Sequence, residues 1–171
     1  MALAITGTGN GSLNNLALSA NTGTVIDTAK SGTFIQLVNF VLTTDFTTTS
    51  TSFVDVTNYT LSITPTSSSN KVFCLVDYNV RTSAGSTTPD CRTYTRLLRG
   101  ASTVVGFRFS GAYIANYSNT YIPTSMMILD SPATTSTVTY KLQMFSTNAS
   151  YTSGILGSTD TTSITLIEVA A

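Results

Sequence analysis

From Phe34 onward, apolar and polar residues alternate with a period of two, and no long helical period appears. The pattern is clearest in two stretches. Val72, Cys74, Val76, Tyr78 and Val80 share one face of a strand, opposite Lys71 and Asp77. Val138, Tyr140, Leu142 and Met144 share one face of another, opposite Thr139, Lys141 and Gln143. A slip of one residue would expose either whole apolar set, so the inward face is specified. This reading predicts strands at 34–42, 58–64, 71–80, 91–99, 103–110, 122–130, 136–146 and 162–169, separated by short polar breaks. About eight strands at this spacing predict an all-β fold, a jelly-roll β-sandwich of about eight to ten strands. The predicted core includes Leu37, Leu61, Ile63, Val76, Tyr78, Leu98, Ile128, Tyr140, Leu142, Leu166 and Ile167. The last strand, Ile164-Thr165-Leu166-Ile167-Glu168-Val169, is apolar on both parities. A strand covered on both faces is expected at an interface, within the domain or between chains, and this marks Ile164 and Leu166 as interface candidates.

The first residues break this pattern. Gly7, Gly9, Gly11, Gly23 and Gly32 lie there with Asn10, Asn14, Asn15 and Asn21. Leu13, Leu16 and Leu18 are isolated apolar spots among them. The chain therefore divides into an extended N-terminal arm, 1–33, and a sandwich domain, 34–171. An arm with scattered Leu is either frayed or laid on a neighbour, so its three leucines are candidate contacts.

Composition narrows the chemistry. Eight Lys plus Arg balance eight Asp plus Glu, and there is no His. Charged residues are 9% of the chain, against about 25% in ordinary globular proteins. Ser and Thr cover the surface instead. A net-neutral chain with few cations lacks the footprint for nucleic acid. No stretch approaches the ~20 apolar residues of a membrane span, and no signal peptide is visible at the start. Zero net charge removes self-repulsion and favours association.

Catalytic signals are weak. Without His, no Ser, Thr or Cys has an imidazole to activate it, and G-x-S-x-G is absent. The eight acids are dispersed and form no calcium loop, although two could meet in space as a glycosidase pair. Gly7-Thr8-Gly9-Asn10-Gly11-Ser12 lacks the Lys of a P-loop and a preceding strand. No cofactor and no metal are expected, and the chain does not read as an enzyme. Cys74 reads as an inert core residue. If 71–80 and 91–99 formed a hairpin, Cys74 would face Leu97 rather than Cys91, so no disulfide joins the two cysteines.

Two groups remain as contact candidates. Arg92, Arg96, Arg99 and Arg108 fall within seventeen positions. Arg92 and Arg96 share a strand face. They are either an anchor for a partner carboxylate or phosphate, or a solvated face with ion pairs of about 0–1 kcal/mol each. Tyr113, Tyr117 and Tyr121 sit in a Tyr/Asn/Ser/Gly mixture typical of adaptable recognition loops. That segment either contacts carbohydrate or protein, or packs onto its own barrel.

Several motifs taken together carry a resemblance. Phe46 to Val56 reads FTTTSTSFVDV, followed by Leu61-Ser62-Ile63-Thr64-Pro65 and Ser67-Ser68-Ser69-Asn70-Lys71-Val72. Arg96-Leu97-Leu98-Arg99-Gly100, Leu129-Asp130-Ser131-Pro132, Tyr140-Lys141-Leu142-Gln143 and the final strand complete the set. Over about 34–171 the chain resembles a domain of tailed-bacteriophage virion surface proteins, found at tail-fibre ends and on capsids. The resemblance implies a jelly roll similar to tumour necrosis factor and complement-type heads, commonly trimeric, and it supplies no catalytic residues. A fibre needs a shaft before its tip, and only about 33 residues precede this head. The chain is therefore expected to be a stand-alone capsid decoration (cement) protein on the outer head surface, made in the host cytoplasm, a homotrimer whose partner is the major capsid protein. The alternative is a tail-fibre or receptor-binding tip that meets tail proteins and a host surface glycan or protein.

Overall fold

A computed structural model describes residues 31–83, 91–101, 103–112 and 119–171. The arm expectation for 1–33 falls almost wholly outside them. Ten strands run in chain order: β1 (Phe34–Leu42), β2 (Phe46–Thr48), β3 (Val54–Ile63), β4 (Lys71–Ser83), β5 (Cys91–Arg99), β6 (Thr103–Ala112), β7 (Thr120–Asp130), β8 (Val138–Ser146), β9 (Thr152–Leu156) and β10 (Thr162–Val169). They form two antiparallel sheets. In the first, β4 is central: β7 lies on one edge, while β10 pairs with its first half and β9 with its last five residues. β1 extends beyond β10, and β2 beyond β9. The second sheet runs β3-β8-β5-β6.

Leaving β2 and β9 aside, the pairs nest from the outside inward: β1 with β10, β3 with β8, β4 with β7, and β5 with β6. This nesting is the wind of a jelly roll. The expected all-β sandwich is the observed fold. The hairpin entertained for 71–80 and 91–99 is not: β4 and β5 lie in different sheets. Cys74 is nevertheless a free, buried thiol.

Two short strands escaped the periodic reading. β2 lies in a threonine run, and β9 carries Gly154 where its neighbour comes close. A Cβ on Gly154 would sit 2.8 Å from the Phe46 carbonyl oxygen. The absent side chain lets β2 lie against β9.

The core fills the space between the sheets. Val72, Cys74, Val76, Tyr78 and Val80 of β4 face Tyr140, Leu142 and Met144 of β8, as the alternation required. Of the predicted core residues, Ile63, Leu98, Leu166 and Ile167 are also buried. Leu61 and Ile128 pack on the core's margin. Leu37 is a correction, being 60% exposed. Val38 lies opposite Leu166 and Phe40 opposite Ile164, so their neighbour Leu37 must face outward.

Three tyrosines tie the sheets together. The Tyr59 hydroxyl donates to the Ser163 carbonyl at 2.5 Å, Tyr78 pairs with Thr95 at 2.5 Å, and Tyr140 donates to Asp130 at 2.7 Å. Each bond satisfies a hydroxyl that burial would otherwise leave unpaired. Tyr59 reaches the core only through a bulge. Val56 and Tyr59 are both buried although they are three apart, which a regular strand forbids. The register shifts between Asp55 and Thr60, and Asn58 there takes φ 62°. Asn58→Val is therefore expected to lose about 1–2 kcal/mol and Asn58→Gly almost nothing, read as urea midpoints.

Candidate interface surfaces

The two outer faces of the sandwich differ in chemistry. On the first sheet, pairing places Leu37, Ile167, Phe73 and Leu129 in one row across four strands. Leu75 and Met127 stand side by side in the next row. Leu37, Met127 and Leu129 are exposed, at 60%, 70% and 54%. Phe34 and Val41 extend the exposed apolar surface along β1. Single exposed apolar residues are ordinary; here Leu37, Met127 and Leu129 stand on one face around the half-buried Phe73 and the covered Ile167, which makes the face a candidate contact surface.

Farther along the same face the surface turns polar. Tyr121, an interface candidate from the sequence, is exposed there opposite Arg81. Ile164 and Leu166 point the other way, into the core, and both are fully buried. On its other face β10 carries Ile167, which its neighbours cover, and the half-buried Val169. Leu13, Leu16, Leu18, Tyr113 and Tyr117 lie outside the described residues.

The arginines do not form one patch. Arg92 and Arg96 share the outer face of the second sheet, Arg92 one position before the buried Thr93 and Arg96 one position after the buried Thr95. Arg99 has the opposite parity and turns to the end of the sandwich. Its Nη1 donates to Asp130 at 2.7 Å, beside the Tyr140 hydroxyl. Arg108 donates from Nε to the Ser125 carbonyl at 3.2 Å. An odd spacing of three between Arg96 and Arg99 already separates them in a strand.

Around Arg96 the face is aromatic. Its guanidinium carbon lies 3.9 Å from the Phe53 ring centroid. Phe53 meets Phe145 edge-on at 4.7 Å, Phe145 stacks on Tyr94 at 5.0 Å, and Phe107 lies 5.6 Å from Tyr94 and 6.2 Å from Phe53. Phe107 is 52% exposed. A polar row adjoins the rings. Arg96 Nε donates to Gln143 at 2.8 Å, Gln143 donates to Asp55 at 2.5 Å, and Lys141 pairs with Asp55 at 2.9 Å. The hydrogen bonds from Gln143 and Lys141 hold the Asp55 carboxyl below the usual aspartate range. Sequence reading missed this cluster, because its four rings come from different strands or from just ahead of one.

Three further acids are engaged separately. Asp45 accepts from the amides of Gly157 and Ser158 at 2.9 and 3.0 Å. Asp160 accepts from Asn79, and Glu168 is buried among amides and a hydroxyl. Among the described residues no three His, Cys, Asp or Glu side chains group as metal ligands. Desolvation pushes the Cys74 thiol up to about 12, so it stays protonated at neutral pH. In the folded protein Cys74 is expected to resist iodoacetamide, and to react once urea unfolds the chain; mass spectrometry reads both.

No protein-family model matches the chain, and no curated protein matches it. Among solved structures it is similar to infectious bursal disease virus of the Gx strain, with 8% identity, 81% of this chain and 37% of that chain covered, and a TM-score of 0.40. The Gt strain gives 10% identity over 81% of this chain and 38% of that one, with a TM-score of 0.41. The VP2 subviral particle of the same virus gives 10% identity, 80% and 38% coverage, and 0.36. The chain spans little more than a third of the length of those chains. Overlap at this level assigns neither relationship nor function.

Proposed function

We propose that the chain is a structural, non-catalytic component of a virus particle, assembling with copies of itself through the outer face of its first sheet. The observation that carries this reading is the exposed set Leu37, Met127 and Leu129, gathered by strand pairing around Phe73 and the covered Ile167. A chain of zero net charge offers no long-range repulsion to oppose such packing. The jelly-roll wind is the one expected of tailed-phage surface domains, and the resemblance adds the trimer and the place: a decoration protein on the outer surface of the head, seated on the major capsid protein. Several subunits held at once multiply weak contacts into firm attachment.

Location separates a decoration protein from a tail tip. Purified heads that lack tails are expected to contain the protein at a fixed ratio to the major capsid protein. Absence from such heads, with recovery in tails, would overturn the decoration role in favour of the tail-tip alternative.

A further inference from the structure

We infer that the outer face of the second sheet is a binding site for an acidic saccharide, a sugar ring bearing a carboxylate, held by Arg96 and Phe107. This goes beyond the assembly role and uses the opposite face of the sandwich.

Arg96 is fixed from two directions. The Phe53 ring covers one face of its guanidinium, and Gln143 takes its Nε donor. Stacking occupies the face of the planar cation and leaves its in-plane donors for a second partner. The Nη donors have no protein acceptor among the described residues. A guanidinium held in this way has little rotamer freedom left to lose when it meets a carboxylate, and the meeting is bidentate.

The charge on this face selects an anion. Among the described residues Lys141 pairs with Asp55, whereas Arg96 forms no ion pair and keeps its positive charge for a ligand. Asp55 holds Lys141 and Gln143 in place, so the polar row is pre-ordered. Next to it lies Phe107, more than half exposed, on a ring cluster that keeps its neighbours rigid. Phe107 is directly opposite Arg96 on the neighbouring strand, about 5 Å away along the sheet. One sugar ring can therefore lay its C–H face on Phe107 and direct its carboxylate to Arg96.

Two other acidic ligands fit less well. Arg96 beside a Lys141–Asp55 pair makes no track for a nucleic-acid backbone. A peptide added as a strand would use a sheet edge, whereas Arg96 stands on β5, paired on both sides.

Titration calorimetry on the full chain tests the inference with three acidic probes, sialyllactose, tetragalacturonate and a heparin tetrasaccharide, and with lactose as the neutral control. At least one acidic probe is expected to bind with a Kd of about 1 mM or tighter, and lactose about tenfold more weakly. Arg96→Gln and Phe107→Ala are each expected to lose about tenfold, while Tyr121→Ala on the opposite face binds as the parent does. Phe107 is exposed, so its variant keeps the fold even if Arg96→Gln does not; circular dichroism checks both. Failure of all three acidic probes, equal binding of lactose, or unchanged affinity in Phe107→Ala overturns the site. So does stronger binding of oligouridylate or a polyglutamate peptide than of any sugar. None of these outcomes bears on self-assembly through the first sheet.

Discussion

Glu168→Gln is expected to lower the free energy of unfolding by about 3 kcal/mol, a fall of roughly 6–12 °C in Tm for a domain of this size. Glu168 is fully buried on β10. Its Oε1 accepts from the Thr66 amide at 2.7 Å, the Thr66 hydroxyl at 2.8 Å and Asn70 Nδ2 at 2.6 Å; Oε2 accepts from Gln36 Nε2 at 2.5 Å. One carboxylate thus joins β1, β10 and the segment between β3 and β4. Glutamine is nearly isosteric, but one oxygen becomes an NH2 facing donors. Those donors stay buried without an acceptor, and each such loss is costly.

The same site predicts a pH dependence. Desolvation pushes the Glu168 carboxyl up, and the hydrogen bonds from Asn70, Gln36 and Thr66 more than offset it, so the group sits below the usual glutamate range. A lowered carboxyl contributes its full stability above the unfolded value of about 4.3. That contribution is lost as pH falls through the lower, folded value. The parent is expected to lose stability faster than Glu168→Gln as the solution is acidified. Parallel denaturation midpoints across the acidic range measure it, and parallel curves would show that the carboxylate carries no pH-linked stability.

Met127→Glu with Leu129→Glu is expected to abolish self-association while leaving the fold intact. Both side chains are exposed in the single chain, at 70% and 54%, so the substitutions disturb no core. In a close-packed interface the same two carboxylates would be buried without partners, at several kcal/mol each. The pair faces outward on β7, opposite Leu75 and Phe73. A parent assembly that falls to monomers with an unchanged circular dichroism spectrum places the interface on this face. An assembly indifferent to both charges would place it elsewhere.

Much of this architecture could be read from residue order. β1 and β10 begin and end where the periodicity placed them; β1 is flanked by Thr33 and Thr43, and β10 follows Thr161 and stops where the apolar run gives way to Ala170 and Ala171. The inward face of β4 is the predicted one, since Lys71 and Asp77 cannot share a core with Val72 and Val76. Where both parities are apolar, period two is silent. That is why alternation alone points Leu37 inward, where the structure exposes it, and why it does not separate Ile164 and Leu166, which lie between the two sheets, from Ile167 on the strand's other side. The doubly apolar last strand did signal a second covered face; it did not say which residues would line it. The aromatic cluster was illegible for another reason. Phe53, Tyr94, Phe107 and Phe145 are brought together by the pairing of β3, β8, β5 and β6, and pairing order leaves no local mark on a sequence. Glu168 gave a faint signal, an acid inside an apolar strand, but its amide partners come from far along the chain.

Self-assembly through the first sheet is tested most directly by the mass of the full chain in solution, by light scattering at neutral pH. A closed assembly of three times the chain mass of 18.0 kDa, holding its mass on dilution through the micromolar range, is the expected result. A single species of one chain mass at every concentration would contradict it.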